Sequence, residues 1–403
     1  MKREEILDIN HRLSPDARWA AVIHYDEVGL KGKNRGRFED QLRRNILRAL
    51  SDIGGGAVQR YFGRMVLFLP KEFDWQIVES RLQKVLGIAY FAPALFVEQN
   101  MEHITAAALA LTAHQPFQSF RVQTKRADKQ FPLTSEEVNR VIGAAIQESS
   151  GARVDLDNPE LTCYLEIFNQ NAVVYIRRCP AWEGLPPGVS EKAVALLSAG
   201  IDSPVAAWKM MKRGVQVTFV HFHSVPATSE ASIEKCKKIV EILTSYQYRS
   251  KLYLVPVLEI QNQIRTEAPE DLWIIFLRRC LMRLAERIAV KERAPALITG
   301  ESVGQVSSQT LSNIRAIHEG IKLPVLRPLC GENKRDIVTL ARQIGTFQVS
   351  IEPYEDCCSL FLPQHPQTRA HLKETVFIEK HLNLKPLLQK ALQNTTLIRF
   401  KYP

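Results

Sequence analysis

The segment Ser198-Ala199-Gly200-Ile201-Asp202-Ser203 places hydroxyls, small side chains and a carboxylate in one short stretch. It lies inside "VALLSAGIDSPVAAWKMMKRG", whose first residues read as a buried strand and whose last read as a helix. Ser203 is placed to cap that helix, Pro204 suits its first turn, and Gly214 can end it. The loop is therefore expected at the carboxyl end of a strand and at a helix N-terminus, where backbone N–H groups converge and the dipole favours an anion. A Walker A loop requires Gly-Lys-Ser/Thr, and this stretch has no lysine. The dinucleotide fingerprint requires spaced glycines, and only Gly200 is present. The nucleophile elbow G-x-S-x-G does not match either. What remains is S-x-G-x-D-S, in which serines and amides suit a pyrophosphate and Asp202 suits a magnesium ion bound to it. An ordinary strand–helix turn with its own cap accounts for the same residues, so the loop alone leaves both readings open.

The surrounding pattern positions that loop. From Ala193 onward strands and helices alternate: strand 193–197, helix 204–213, strand 215–222, helix 233–246, strand 252–257, helix 272–291 and strand 296–299. This alternation implies α/β structure with a doubly wound parallel sheet, in which ligands bind at strand carboxyl ends. Upstream, "CPAWEGLPPGVS" (179–190) is rich in proline and glycine and reads as a linker. Residues 1–70 read strand–helix–strand, with "YFGRMVLFLP" taken as one strand closed by Pro70. Residues 71–178 repeat that α+β style. Thr134 with Glu137 fits a capping box, and Asn169-Gln170-Asn171 fits a hairpin turn. Three domains are expected, over 1–70, 71–178 and 179–403.

The chain has 403 residues and a net charge of +10, which favours polyanionic partners. Basic residues gather in two places: Lys31, Lys33, Arg35 and Arg37 precede and enter a helix, and Lys125, Arg126 and Lys129 lie in "VQTKRADKQFP". A solvated basic face is the plain alternative for either run. No apolar run approaches a membrane span, and no apolar segment follows Met1-Lys2-Arg3, so a cytoplasmic protein without membrane attachment is expected. The seven cysteines form no C-x-x-C pair, and only Cys357 and Cys358 are adjacent. The default for each is a buried free thiol.

The loop resembles the PP-loop, SGGxDS, of ATP pyrophosphatases. With "PVAAW", "VHFHSVP" (220–226), "TGESVGQVSSQT" (299–310) and "KNRGRFE" (33–39), nearly the whole chain resembles the tRNA 4-thiouridine synthetases, the tRNA sulfurtransferases of the ThiI type. That resemblance implies an N-terminal ferredoxin-like domain, a THUMP RNA-binding domain and a PP-loop adenylating domain. It implies ATP with Mg2+, and ATP contacts from Leu196, Leu197, Ser198, Gly200, Asp202, Ser203, His221, Phe222, Arg278, Gly300 and Gln309. His221 receives no acid–base role. Lys31, Lys33, Arg35, Arg37, Lys125, Arg126 and Lys129 are expected on tRNA phosphates.

The same resemblance implies adenylation of uridine 8 on O4, followed by sulfur delivery from a persulfide on Cys358 or Cys357. Longer relatives add a rhodanese domain, and too few residues follow Cys358 for one, so a cysteine desulfurase is the expected direct donor. Sulfur transfer to the thiazole-synthesis carrier protein for thiamine, and a homodimer, are further implied candidates. One position departs from the family: Ala199 stands where glycine is usual. Alanine there would be strained by about 1 kcal/mol if φ is positive, or its methyl would crowd a phosphate. Three readings compete: a PP-loop ligase acting on a small molecule, which would need neither the basic N-terminal units nor Cys358; a non-catalytic RNA-binding protein, with Ala199 marking a degraded ATP site; and an iron–sulfur thiolase using Cys330, Cys357 and Cys358, against which the absent C-x-x-C spacing argues.

Overall fold

The computed structural model describes Ile9, residues 17–353, Phe361 and residues 365–403. Cys357 and Cys358 lie outside the described residues. The chain forms two compact units, divided between Pro186 and Pro187 inside the proline-rich stretch.

The first unit is built on one nine-stranded sheet. Its strands are β1 (Arg18–His24), β2 (Val58–Tyr61), β3 (Arg64–Phe68), β4 (Tyr90–Glu98), β5 (Ser119–Arg126), β6 (Arg153–Val154), β7 (Leu161–Phe168), β8 (Asn171–Tyr175) and β9 (Cys179–Pro180). They lie in the order β2-β3-β1-β4-β8-β7-β5-β6, with β9 also paired to β4. β4 is central, pairing antiparallel with both β1 and β8. Local chemistry accounts for several boundaries. The helix Ser135–Ser150 starts at a complete Thr134–Glu137 capping box and ends at Gly151, φ +69°. The β7–β8 hairpin turns through Asn169 and Gln170, both at positive φ (47° and 60°). "YFGRMVLFLP" is not one strand. Tyr61 pairs with Arg64, and Phe62-Gly63 make a two-residue turn in which Gly63 adopts φ +80°, conformational freedom that glycine alone supplies cheaply.

A buried polar cluster lies within this sheet. The Glu166 carboxylate, 3 % exposed, meets Arg64 Nη1 at 2.6 Å and His24 Nε2 at 2.8 Å, and accepts from the Tyr175 hydroxyl at 2.8 Å. Burial opposes its ionisation, but His24, Arg64 and Tyr175 outweigh that and hold its pKa down to about 2.

The second unit contains a six-stranded sheet of β10 (Lys192–Leu196), β11 (Gln216–His223), β12 (Arg249–Pro256), β13 (Leu297–Ile298), β14 (Val325–Leu326) and β15 (Thr396–Lys401). The order is β14-β13-β10-β11-β12-β15. Every pairing is parallel except β12–β15, which closes one edge antiparallel. The alternation expected from the sequence is present, with an additional helix at Leu258–Glu267 and the edge strand β15. The helix Trp273–Glu292 buries Ile274, Ile275, Leu277, Leu281 and Leu284 in the main core, beside Val194, Val220 and Leu297 of the sheet. From β10 the chain proceeds to β11 on one side, while β13 flanks the other. β10 is thus the topological switch point, where the crevice of an open sheet forms.

Candidate nucleotide site

A cavity of about 230 Å³ opens at that switch point. β10 and the turn after it contribute Leu196, Leu197, Ser198, Asp202 and Ser203; β11 contributes His221 and Phe222. The long helix supplies Arg278, Leu281 and Met282, and the segment after β13 supplies Thr299, Gly300, Glu301 and Gln309. Of the residues expected at an ATP site, Gly200 alone is not on this wall; it lies in the loop between Ser198 and Asp202.

The loop is held differently from expectation. Ser203 does not cap the helix. The helix Asp202–Met211 begins after Ile201, which makes no side-chain cap bond. The Ser203 hydroxyl instead turns back on the loop, accepting from Ser198 N at 2.9 Å and donating to Ser198 O at 3.1 Å. It thereby closes the loop on itself and leaves the first turn without a side-chain acceptor. Ala199 is fully buried, is not among the positive-φ residues and is not among the residues lining the cavity, so its methyl carries no backbone strain.

Gly300 is required by close approach. A Cβ there would fall 2.8 Å from both N and Cα of Ser203 and 3.0 Å from the Asp202 carbonyl carbon. The β13 loop therefore packs directly on the start of the phosphate-type loop. His221 is 1 % exposed, and its Nδ1–H donates to Leu197 O at 3.0 Å. It joins two adjacent strand ends.

Further polar groups gather around the cavity, Thr299, Glu301 and Gln305 from the 299–310 stretch and Lys334, Arg327 and His318 from outside any quoted motif. Asp202 Oδ1 lies 2.5 Å from Lys334 Nζ, and Oδ2 accepts from Gln305 Nε2 at 3.0 Å. Lys334 is the first residue of the helix Lys334–Gln343, a position where the helix dipole disfavours a cation. That mismatch is the one hint of it in the sequence. Glu301, 6 % exposed, accepts from Arg278 at 3.2 Å, Arg327 at 2.9 Å and Thr299 at 3.0 Å. Arg327 Nη2 also donates to the His318 ring. Burial, and then the Arg327 charge, push His318 down to about 4, so it is neutral near pH 7.

Among the described cysteines, Cys163 and Cys280 are fully buried, and burial raises each thiol to about 12. Cys179 is raised to a similar value by burial and then by Glu79. These are inert packing thiols. The helix Phe347–Ile351, which precedes the cysteine pair in sequence, touches the loop through Ser350 Oγ, 3.4 Å from Gly200 O.

The expected basic residues differ in what they can do. Lys33, Arg37, Lys125 and Lys129 are exposed; Lys31 is half-buried with its ammonium 5.5 Å from the Phe38 ring centroid. Arg126 Nη1 donates to Phe131 O (2.8 Å) and Leu133 O (2.6 Å), which staples its own loop. Arg35 is held by Glu39 and Tyr25.

A parallel sheet with an S-x-G-x-D-S loop at its switch point defines the PP-loop ATP pyrophosphatase class of domain. Comparison with known proteins narrows this. The family model described as thiamine biosynthesis protein (ThiI) matches residues 188–384, the ThiI ferredoxin-like domain matches 20–92, and the THUMP domain matches 98–177. The chain is 42% identical over 378 residues to the "Probable tRNA sulfurtransferase" of Moorella thermoacetica, covering 94% of this chain and 96% of that protein. It is 42% identical over 379 residues to the protein of the same description from Thermus thermophilus, covering 94% and 93%. A crystal structure of a 4-thiouridine synthetase–RNA complex with bound ATP superposes with a TM-score of 0.88 at 34% identity, covering 95% of this chain and 100% of that one. The chain belongs to the ThiI family of tRNA sulfurtransferases, enzymes with ferredoxin-like, THUMP and PP-loop domains.

Proposed function

We propose that this enzyme adenylates uridine 8 of tRNA on O4 with ATP and then replaces that oxygen with persulfide sulfur, giving 4-thiouridine. The observation that carries the reading is the cavity at the β10 switch point, where the self-closed Ser198–Ser203 loop, Asp202 and Lys334 converge. Loop amides and the uncapped first turn suit the polyphosphate of ATP. Leu196, Phe222, Leu281 and Met282 suit the purine. Ser198, Gly200 and Ser203 shape the loop, Leu197 and His221 fix the strand ends, and Gly300 and Gln309 close the opposite wall. The Lys334 ammonium, held beside Asp202, suits negative charge that would develop on the leaving pyrophosphate.

Asp202 fits a divalent cation by its donor type. Among the described residues no group of three His, Cys, Asp or Glu side chains surrounds such a site, so phosphate oxygens would complete the coordination. A divalent cation held by Asp202 would supply charge neutralisation for the departing pyrophosphate.

In the first half-reaction O4 of uridine attacks the α-phosphorus, N3 loses its proton and pyrophosphate leaves. In the second, the terminal sulfur of a Cys358 (or Cys357) persulfide attacks C4 and AMP leaves. A dithiol reductant then breaks the S–S bond: one of its thiols attacks the cysteine sulfur, releasing 4-thiouridine as a mixed disulfide forms, and its second thiol frees the cysteine. A cysteine desulfurase is the proposed donor. Delivery of sulfur to the thiazole-synthesis carrier protein for thiamine, a cytoplasmic location and a homodimer belong to the same reading; the family model's description supports the first. Among the described residues no helix is long and apolar enough to cross a membrane. The proposed domain boundaries are 1–70, 71–178 and 179–403, with Lys31, Lys33, Arg37, Lys125 and Lys129 on RNA phosphates, and Arg35 and Arg126 supporting them. The 4-thiouridine synthetase–RNA complex supports an RNA substrate.

The test is mass spectrometry of tRNA incubated with the enzyme, ATP, Mg2+ and a persulfide donor. A 16 Da gain at one uridine, dependent on ATP, is expected from exchange of oxygen for sulfur (about 16 Da by atomic mass). Pyrophosphate release at the same rate without RNA would count against the reading and favour a small-molecule ligase.

A further inference from the structure

Phe62 sits at the tip of the β2–β3 hairpin with 82 % of its surface exposed, far more than packing or turn geometry calls for. A polar residue would serve that turn position at least as well. One face of the ring is nevertheless organised. The Arg35 guanidinium lies 5.0 Å from the Phe62 ring centroid. Arg35 is itself fixed: its Nε donates to Glu39 Oε1 at 2.6 Å and its Nη2 to the Tyr25 hydroxyl at 3.0 Å, while Tyr25 donates to Glu39 at 2.5 Å. Lys33 and Arg37, both exposed, flank Arg35 in sequence. An immobilised cation thus covers one side of an aromatic ring whose remaining surface is open, among positive charge.

We infer that Phe62 and Arg35 form a stacking platform for an unpaired nucleobase of the RNA substrate. Every base has a π-face, so such a platform is tolerant of sequence and depends on the base being out of a duplex. The surrounding cations supply phosphate attraction, and the fixed guanidinium lowers the entropy lost when the stack extends by one base. Charge complementarity favours RNA over an apolar protein segment as the occupant. The inference rests on the RNA-thiolating reading and adds to it a contact that reads strandedness.

The experiment measures binding of a tRNA transcript and of a fully paired RNA duplex by wild type, Phe62→Ala and Phe62→Trp at fixed salt. Phe62→Ala is expected to bind tRNA roughly tenfold more weakly, from the loss of one stacked base. Duplex binding should be unchanged, and Phe62→Trp should retain wild-type affinity for tRNA. Equal tRNA binding by Phe62→Ala, or an equal loss on duplex, overturns the platform. Absence of RNA-dependent pyrophosphate release in the wild type overturns the proposed function instead and leaves the binding comparison readable.

Discussion

Lys334 Nζ stands 2.5 Å from Asp202 Oδ1, joining residues 132 positions apart at the mouth of one cavity. The only cation touching this carboxylate among the described residues is one that ligand phosphates could recruit instead. Lys334→Met is therefore expected to lower RNA-dependent pyrophosphate release by roughly 10²–10³, the usual loss for one preorganised charge. Asp202→Asn should do the same and weaken the dependence on Mg2+. Initial-rate measurements across a Mg2+ titration check both. A Lys334→Met variant with wild-type turnover would remove the lysine from the chemistry.

Gly300→Ala introduces a methyl group 2.8 Å from the Ser203 backbone, where no flexible side chain can give way. The Ser198–Ser203 loop must shift. Overpacking of this kind destabilises by about 1–3 kcal/mol, and the ATP site should be affected before the rest of the fold. Calorimetric titration with ATP should show binding weakened at least tenfold while the melting temperature falls by only a few degrees. Unchanged ATP affinity would show that the contact is dispensable.

Cys358→Ser is expected to leave pyrophosphate release intact and stop 4-thiouridine formation, since the proposed adenylation step does not use the thiol. If Cys357→Ser separates the two half-reactions instead, the sulfur is carried one position earlier. Paired assays of pyrophosphate and thiolated tRNA distinguish the two.

The two units should respond to acid in different windows. His318 is held at about 4 by burial and by Arg327, below its ordinary 6.5. A depressed histidine contributes stability above its unfolded pKa and loses it as pH falls from about 6.5 to 4. His223, also near 4 through burial and then the His221 charge, acts over the same range in the same unit. Glu166, depressed from 4.5 to about 2, contributes above 4.5 and loses its contribution only between 4.5 and 2. Hydrogen exchange between pH 7 and 4 should show the sheet around β10 and β13 loosening first, with His318→Gln removing part of the effect. Simultaneous loosening around β7 would contradict the assignment.

Glu166→Leu strands a buried guanidinium, since Arg64 is itself only 3 % exposed. Removing one partner of such a pair is expected to destabilise the first unit by about 3–5 kcal/mol. Denaturant titration of the full chain should show an early transition in that unit, with ATP binding persisting beyond it.

The phosphate-type loop was legible because its chemistry is local: a few adjacent small and polar residues between a strand and a helix. The Thr134 capping box and the Asn169-Gln170 turn were legible for the same reason. What escaped was long-range or geometrically ambiguous. Arg327 looks like an ordinary surface charge until the fold brings it to Glu301. Ser203 offers the same hydroxyl to a helix cap or to Ser198, and the tight loop selected the second. Gly63 sits in a run of strand-forming residues whose apolar character masks the turn. Ala199 departs from glycine in the sequence, and only the backbone geometry shows that the position does not require positive φ.

Strand β15 completes the second sheet from residues 396–401, yet its partner β12 spans residues 249–256. A growing chain therefore exposes the open edge of β12 for the whole interval in which the intervening residues are translated. The first unit needs nothing beyond about Pro186 to close its sheet, and can mature on the ribosome. The second unit cannot, and its unpaired edge is where nascent chains would be exposed to mispairing or depend on a chaperone.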